Sequence, residues 1–236
     1  MALPVRYPFG VSTNSVTQNL GNFGLPDPTA WHTYFNDFTE YVSGDWTVTA
    51  VGTGTSAIGV ATYGTLVVTA SGADNDGRQH QLASTSFAPV SGKKAFFKTR
   101  FKVSDATQSD LAIGLIIIDT TILGSTGGDG ATDGIFFQKD DGSTTLTAYC
   151  QKNTTTGQTS LTTTTLADDT FVTVGWAYDG KSEIGVFLND VKVGTLDGSS
   201  TYLPDATNLA VSFALLNGEA VAKVLTVDFV LAAVER

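Results

Sequence analysis

Cysteine, histidine and glutamate are scarce in this 236-residue sequence, and each shortage removes a class of chemistry. The single thiol, Cys150, has no partner in the chain for a disulfide, and with two histidines no Cys/His cluster reaches zinc-ligand spacing. Cys150 is expected to be a buried, inert thiol. His32 lies in AWHTYF and His80 in GRQHQL, and no nucleophile-elbow glycine pattern occurs, so Ser/His/Asp chemistry lacks its framework. His32 is expected to anchor the junction between the N-terminal segment and the domain, and His80 to face outward or bond to backbone. Charge is thin as well, at 15% of residues. Its balance of −10 argues against a nucleic-acid partner, which needs clustered Lys and Arg to replace counterions on phosphate. The longest apolar run, LAIGLIIIDTTIL, falls well short of the roughly 20 residues that cross a bilayer, so no membrane partner is expected. The opening MALPVRYPFGVSTNS has two prolines and no continuous apolar core, unlike a secretory signal, which predicts a soluble chain made in a cytoplasm.

Hydrophobic residues make up 42% of the chain, and Gly and Thr are abundant, a mix that favours strands and tight turns over helices. FVTVGWAYDGKSEIGVFLNDVKVGTL, residues 171–196, shows the pattern. Val172, Val174, Trp176 and Tyr178 share one face of a strand, and Asp179-Gly180 is expected to close a two-residue hairpin loop onto Ile184, Val186 and Leu188. Asn189-Asp190 makes the next turn. In AFFKTRFKV, Phe97, Thr99, Phe101 and Val103 alternate with Lys98, Arg100 and Lys102, whereas LAIGLIII is apolar on both faces, as a strand covered on both sides would be. Strands are predicted near 33–38, 45–51, 65–70, 78–82, 94–103, 111–119, 134–139, 145–151, 171–178, 183–188, 191–196, 209–216 and 222–233. So many strands in one domain predict an all-β, antiparallel two-sheet jelly-roll sandwich over residues 31–236. The tract TTTGQTSLTTTTLADDT admits an O-glycosylated or disordered reading, but an exposed strand and loop is expected. Residues 1–30 hold four of the six prolines and aromatics without a period, which predicts an extended N-terminal arm that packs either on its own domain or on a neighbour.

YFNDFTEYVSGDWTV, FFKTRFKVSDATQSDLAIGL, DDTFVTVGWAYDGKSEIGVFLNDVKVGTL and VDFVLAAVER, in that order, resemble the concanavalin A-like jelly rolls, also called laminin-G-like. More narrowly, the chain is similar to structural proteins of short-tailed, especially aquatic, bacteriophages that join such a domain to an RYPFGV-like arm. The resemblance spans nearly the whole chain, though its motifs belong to the framework. It implies a non-enzymatic auxiliary head protein, a capsid decoration or cement protein on the outer surface of a virion, made in the host cytoplasm. Its partners would be the major capsid protein and further copies of itself, with trimers suiting local three-fold positions. The alternative is a glycan-binding virion module of a tail or fibre that adheres to host surfaces.

The resemblance also shows what is missing. Laminarinase-type relatives carry both catalytic carboxylates on one strand as Glu-x-Asp-x-x-Glu, and none of the four glutamates, Glu40, Glu183, Glu219 and Glu235, stands in that pattern. No catalytic residue, cofactor or resident metal is therefore expected. Asp74, Asn75, Asp76 and Gly77 cluster oxygen ligands, and Asp129 and Asp133 lie in a glycine-rich loop, but Asp-Asn-Gly clusters read as turns. Trp176, Tyr178, Phe136 and Tyr149 are the aromatics that a sugar could stack on, and strand alternation assigns them to the core. Two groups remain as partner contacts. Lys98, Arg100 and Lys102, preceded by Lys93 and Lys94, form either a docking stripe for an acidic neighbour or a solvated face paired to aspartates. Arg6, Tyr7, Phe9, Phe23 and Leu25 of the arm have no local core to enter and suit a groove on a partner.

Overall fold

The computed structural model describes residues 29–60, 63–123, 131–153 and 158–236. The predicted arm contacts Arg6, Tyr7, Phe9, Phe23 and Leu25 lie outside the described residues, as does Asp129. In chain order the strands are β1 (Trp31–Asn36), β2 (Trp46–Val51), β3 (Thr55–Ile58), β4 (Leu66–Thr69), β5 (Gly77–Leu82), β6 (Ala95–Val103), β7 (Ser109–Ile116) and β8 (Gly134–Lys139). They continue as β9 (Thr145–Gln151), β10 (Gln158–Thr165), β11 (Val172–Tyr178), β12 (Glu183–Leu188), β13 (Val191–Asp197), β14 (Ala210–Asn217) and β15 (Val224–Glu235). Among the described residues the only helical piece is a single 3-10 turn at Ser43–Asp45.

The expected antiparallel two-sheet sandwich is present. One sheet runs β13-β12-β11-β6-β15-β4-β3, with β1 paired to the second half of β15, and the other runs β10-β9-β8-β7-β14-β5-β2. Successive strands such as β5, β6 and β7, or β13, β14 and β15, alternate between the sheets, which is the jelly-roll crossing. Phe97, Phe101, Trp176 and Tyr178 from one sheet meet Phe137, Phe213, Leu111 and Ile113 from the other, each large side chain contributing about 1.5–3 kcal/mol by leaving water. Trp176 also ties the layers together, its Nε1 donating to the Ile135 carbonyl at 3.1 Å. Cys150 is buried in this core, where burial pushes the thiol far above its ordinary range.

Several details depart from the expectation. Asp179 and Gly180 belong to a four-residue loop, not a two-residue one. The Asp179 carboxylate accepts the backbone N–H groups of Lys181, Ser182 and Glu183, making a longer turn stable without a primed geometry. Asn189-Asp190 is the true two-residue hairpin, with φ of 48° and 67° and Leu188 paired to Val191. β3 was not predicted, because TSAI is short, small and mostly exposed. Part of the threonine tract forms β10, the edge strand beside β9. His80 does not face outward: it is fully buried, its ring 4.8 Å from that of Phe213, with Nε2 hydrogen-bonded to the Ser56 hydroxyl at 2.9 Å. The strand predicted at 111–119 stops at Ile116, and the cause of that break shapes the candidate site.

Candidate functional site

Alternation on the seven-stranded sheet sends Leu111, Ile113, Leu115 and Phe213 into the core and turns the intervening residues outward. Register aligns two outward rows: Thr47, Gln81, Ser212, Gly114, Phe136 and Tyr149, then Thr49, Gln79, Ala214, Ala112, Gln138 and Thr147. This face is polar at its β5 side and apolar at its centre.

The segment Ile117–Leu123 folds back over that centre. Gln81 Nε2 donates to the Ile117 carbonyl (2.9 Å) and to Ser212 Oγ (3.0 Å), while its Oε1 accepts from Asp119 N (3.0 Å). Gln79 donates to the Asp119 carbonyl and accepts from Ile122 N at 3.2 Å. The two buried amides thus replace the ladder bonds that would have extended β7. Ile122 and Leu123 bury themselves on Ala112, Ile116, Phe136, Ala214 and Leu216, a second small core outside the sandwich. Hence β7 is apolar on both faces, as its sequence indicated.

A cleft of about 200 Å³ opens where this loop faces β2 and the turn before β5. Val51, Leu123, Ala214 and Leu216 supply its apolar surface, and Thr49, Asp74, Asn75, Thr120 and Thr121 its polar edge. Gly77 lies at the bottom because a side chain cannot fit there: a Cβ would sit 2.1 Å from the Leu215 carbonyl oxygen. The turn is held by Asn217, whose amide donates to Ser71 O (2.5 Å) and Ala73 O (2.8 Å), and by Asp76, which accepts from Ser71 and from Ala73 N. Arg78 and Gln79 also line the cleft, Arg78 donating from Nε to Ser56 Oγ at 3.0 Å and from Nη1 to the Gly54 carbonyl. The side chains of Thr49, Asp74, Asn75 and Thr120 have no hydrogen-bond partner among the described residues.

Beside Leu216 on the same face lies Asp110, which is buried and accepts from Asp141 N at 2.6 Å. Burial pushes its carboxyl up to about 6, the Asp141 hydrogen bond only partly opposing it. Nearby, the Lys139 ammonium is buried and donates to the carbonyls of Thr107, Asp140 and Ser143 at 3.4, 3.2 and 3.0 Å, and burial lowers its proton affinity.

The other residues singled out in the sequence fall elsewhere. Trp176, Tyr178 and Phe136 are at most 1% exposed, so none is a sugar platform; Tyr149 is half-buried against Phe136, ring centroids 5.7 Å apart. Asp133 accepts from Asn153 N (3.3 Å) and from Thr207 (3.4 Å), away from the cleft. Lys98 lies 2.5 Å from Asp190, Arg100 2.5 Å from Asp228 and Lys102 3.0 Å from Asp169, so each cation of the row has a carboxylate across the sheet. The Arg100 guanidinium also lies 4.1 Å over the Phe171 ring. His32 donates or accepts at Ser86 Oγ (2.7 Å) in a second pocket of about 340 Å³ with Tyr34, Asp45 and Phe87. Gln79, Gln81, Thr49 and Thr120 escaped the sequence reading. The alternation of Gln79 and Gln81 in GRQHQL was the available signal for an outward polar face, but their loop partners are 36–43 positions away.

No family model matches the chain, and no curated protein matches it. Solved structures do. The potassium-bound carbohydrate recognition domain of Emp46p superposes with a TM-score of 0.57 at 11% identity, over 84% of this chain and 94% of that one. Endo-1,3-beta-glucanase from Streptomyces sioyaensis gives 0.57 at 14% identity, over 89% and 99%. Peanut lectin in complex with a 9-mer peptide gives 0.54 at 10% identity, over 86% and 97%. At these identities the likeness establishes the fold alone: the chain has the concanavalin A-like jelly-roll fold.

Proposed function

We propose that this protein is a non-catalytic carbohydrate-binding module and that the cleft between Ile117–Leu123 and the Asp74-Asn75 turn is its site. One observation carries the reading: Thr49, Asp74, Asn75 and Thr120 present hydroxyl, carboxylate and amide groups without partners among the described residues, in one cleft with the apolar side chains of Val51, Leu123 and Leu216. Sugars need that combination, hydrogen bonds for hydroxyls and apolar contact for C–H faces. Similarity in fold to a carbohydrate recognition domain and to a lectin supports it. Turnover is disfavoured because retaining chemistry needs two carboxylates about 5–5.5 Å apart, whereas among the described residues Asp74 is the only carboxylate lining the cleft. Three of the glutamates are engaged elsewhere, Glu183 with Lys192, Glu219 with Lys223 and Glu235 with Lys94 N. The test is a glycan array followed by titration of the hits against Asp74→Ala and Asn75→Ala. Loss of about ten-fold or more in affinity is expected; an empty array, or hits indifferent to both variants, refutes the site.

A second reading, the bacteriophage capsid decoration or cement protein, is favoured by the outer face of the eight-stranded sheet. Phe35 is 60% exposed there with Phe229 at 6.4 Å, next to Trp31 and Phe96 at 5.5 Å and the half-buried Leu231. Apolar surface of this kind suits burial against a shell protein or another copy. The number of copies per purified particle tests it: hundreds, in simple ratio to the major capsid protein, support decoration. A few tens place the chain on a tail or fibre, and absence from particles ends the reading.

A further inference from the structure

We infer that the outer face of the eight-stranded sheet is a docking surface for residues 1–28 of the same chain, which lie across it as an extended cover. Register places Ala233, Phe96, Ala177 and Gly185 in one outward row on β15, β6, β11 and β12, and Leu231, Lys98, Gly175 and Phe187 in the next. These side chains point away from the sandwich core, and no described strand lies over this face. A sheet face open to water leaves its large side chains exposed, as Phe35 is at 60% on the same face. Phe96 and Phe187 are instead 3% and 7% exposed, and with Ala177 and Ala233 they form a third apolar cluster that Trp31 and Leu231 only flank. Glycine and alanine between the two rings leave a shallow trough, with the Phe187 ring 3.2 Å from where a Gly185 Cβ would stand.

The occupant is identified by where the chain enters and how far it reaches. Arg236 N donates to the Ala30 carbonyl at 2.8 Å, and Arg236 Nε to the Trp31 carbonyl at 3.3 Å. These bonds fix the start of β1 at the rim of this face, with the Trp31 ring 5.5 Å from that of Phe96. Upstream, Leu3, Val5, Tyr7, Phe9 and Val11 alternate with Pro4, Arg6, Pro8 and Gly10. In extended chain that period puts the five apolar side chains on one side, while the prolines, which lack an N–H, keep the stretch from joining a sheet as a central strand. Residues 3–11 span about 26 Å at roughly 3.3 Å per residue, and β1 to β13 is about 24 Å at roughly 4.8 Å per strand. Residues 12–28 supply the connection. A tether of that length holds the segment at an effective concentration of millimolar order, so its own face outcompetes that of a second copy at micromolar concentration. The arm then leaves Phe35 and Phe229 as the apolar remainder that a partner can reach, whatever the cleft on the opposite sheet binds.

The experiment places a nitroxide on Ser12→Cys of the full chain; the native thiol, Cys150, is buried and stays unlabelled. The amide signals of Gly175, Ala177, Gly185 and Ala233 should lose far more intensity than those of Thr47, Gln81 and Tyr149 on the opposite face. A mixture of spin-labelled, unenriched chain with isotope-enriched chain lacking the label should show no such loss. Tyr7→Ala combined with Phe9→Ala, which changes no residue of the sandwich, should abolish the loss and make Trp31 more accessible to acrylamide. Trp46 and Trp176, 5% and 1% exposed, should stay protected in both proteins. Equal loss on both faces, or quenching of Trp31 that the double variant leaves unchanged, overturns the inference. Loss as strong in the mixture as within one chain also overturns it, by moving the arm onto another copy.

Discussion

Replacing Asp110 by Asn should stabilise the protein at neutral pH, and only there. The carboxyl is about 1% exposed, and burial raises its folded-state pKa to about 6 from the ordinary 3.8. A group that binds its proton more tightly when folded contributes its stability below pH 3.8 and loses it as pH rises through 6, so the ionised carboxylate costs about 3 kcal/mol at pH 7.5. Asn removes that penalty and keeps an oxygen for Asp141 N; the folded-state value of about 6 already includes that 2.6 Å bond, so its charge assistance is not subtracted again. The expected net gain is about 2–3 kcal/mol at pH 7.5, or about 4–12 °C in Tm for a chain of this length, and near zero at pH 4. His80 sharpens the assay. Its burial lowers the pKa to about 3, so its stability is present above pH 6.5 and lost as pH falls toward 3. In the wild type the two gradients oppose each other between about pH 4 and 6. Asp110→Asn should uncover the histidine slope, about 1.4 kcal/mol per pH unit on acidification. Calorimetry of both proteins from pH 4 to 8 decides it. A difference in Tm that is the same at pH 4.5 and 7.5, or a variant less stable at 7.5, would refute the reasoning.

His80→Phe keeps a ring against Phe213 and removes the proton, so it should be more stable than the wild type at pH 4.5 and no more than about 1 kcal/mol less stable at pH 7.5, read by the same scans. Gln81→Leu leaves Asp119 N and the Ile117 carbonyl without their partner; about 1–3 kcal/mol should be lost, with hydrogen exchange accelerated at Asp119 and Ile122 before the rest of the fold. Protection unchanged at both amides would mean that the loop is not clamped by Gln81. Gly77→Ala meets the Leu215 carbonyl at 2.1 Å, and denaturant titration should show a loss of about 2 kcal/mol or more from forcing β5 and β14 apart.

What could be read in the sequence was whatever depends on neighbours two positions apart. β6 and β11 declare their faces through single alternations, and β7 declares that both its faces are covered. The positive-φ pair Asn189-Asp190 is local chemistry and was legible for that reason. The Asp179 loop was misjudged because a side chain supplies the turn's acceptor, so glycine alone did not set its length. His80 was misplaced because its partner, Ser56, lies on the unpredicted β3, and a buried polar residue cannot be told from an exposed one until its partner is known. The cleft was invisible for the same reason. It exists through contacts between Gln79 and Gln81 and a segment about forty positions later, and no periodicity encodes them.

The aromatic residues explain why the cleft, and not the sheet as a whole, is the place to look for a ligand. Trp176, Tyr178 and Phe136 are the side chains by which a sugar site would ordinarily be recognised, and all three are enclosed, Trp176 with its N–H bonded to Ile135 across the layers. A sugar held by the described residues that line the cleft, which include no aromatic ring, must therefore be held by hydrogen bonds and aliphatic contact. Such contacts give weak affinity per site, because each hydrogen bond nets only about 1 kcal/mol after desolvation. A weak monovalent site gains strength when many copies face the same surface, since later contacts form at high effective concentration. The two readings then cease to compete. A module arrayed through the Phe35 and Phe229 face, on a particle or with its own copies, would turn the modest cleft opposite into a multivalent adhesive surface, and a chain that binds sugars only when arrayed is the outcome that would join them.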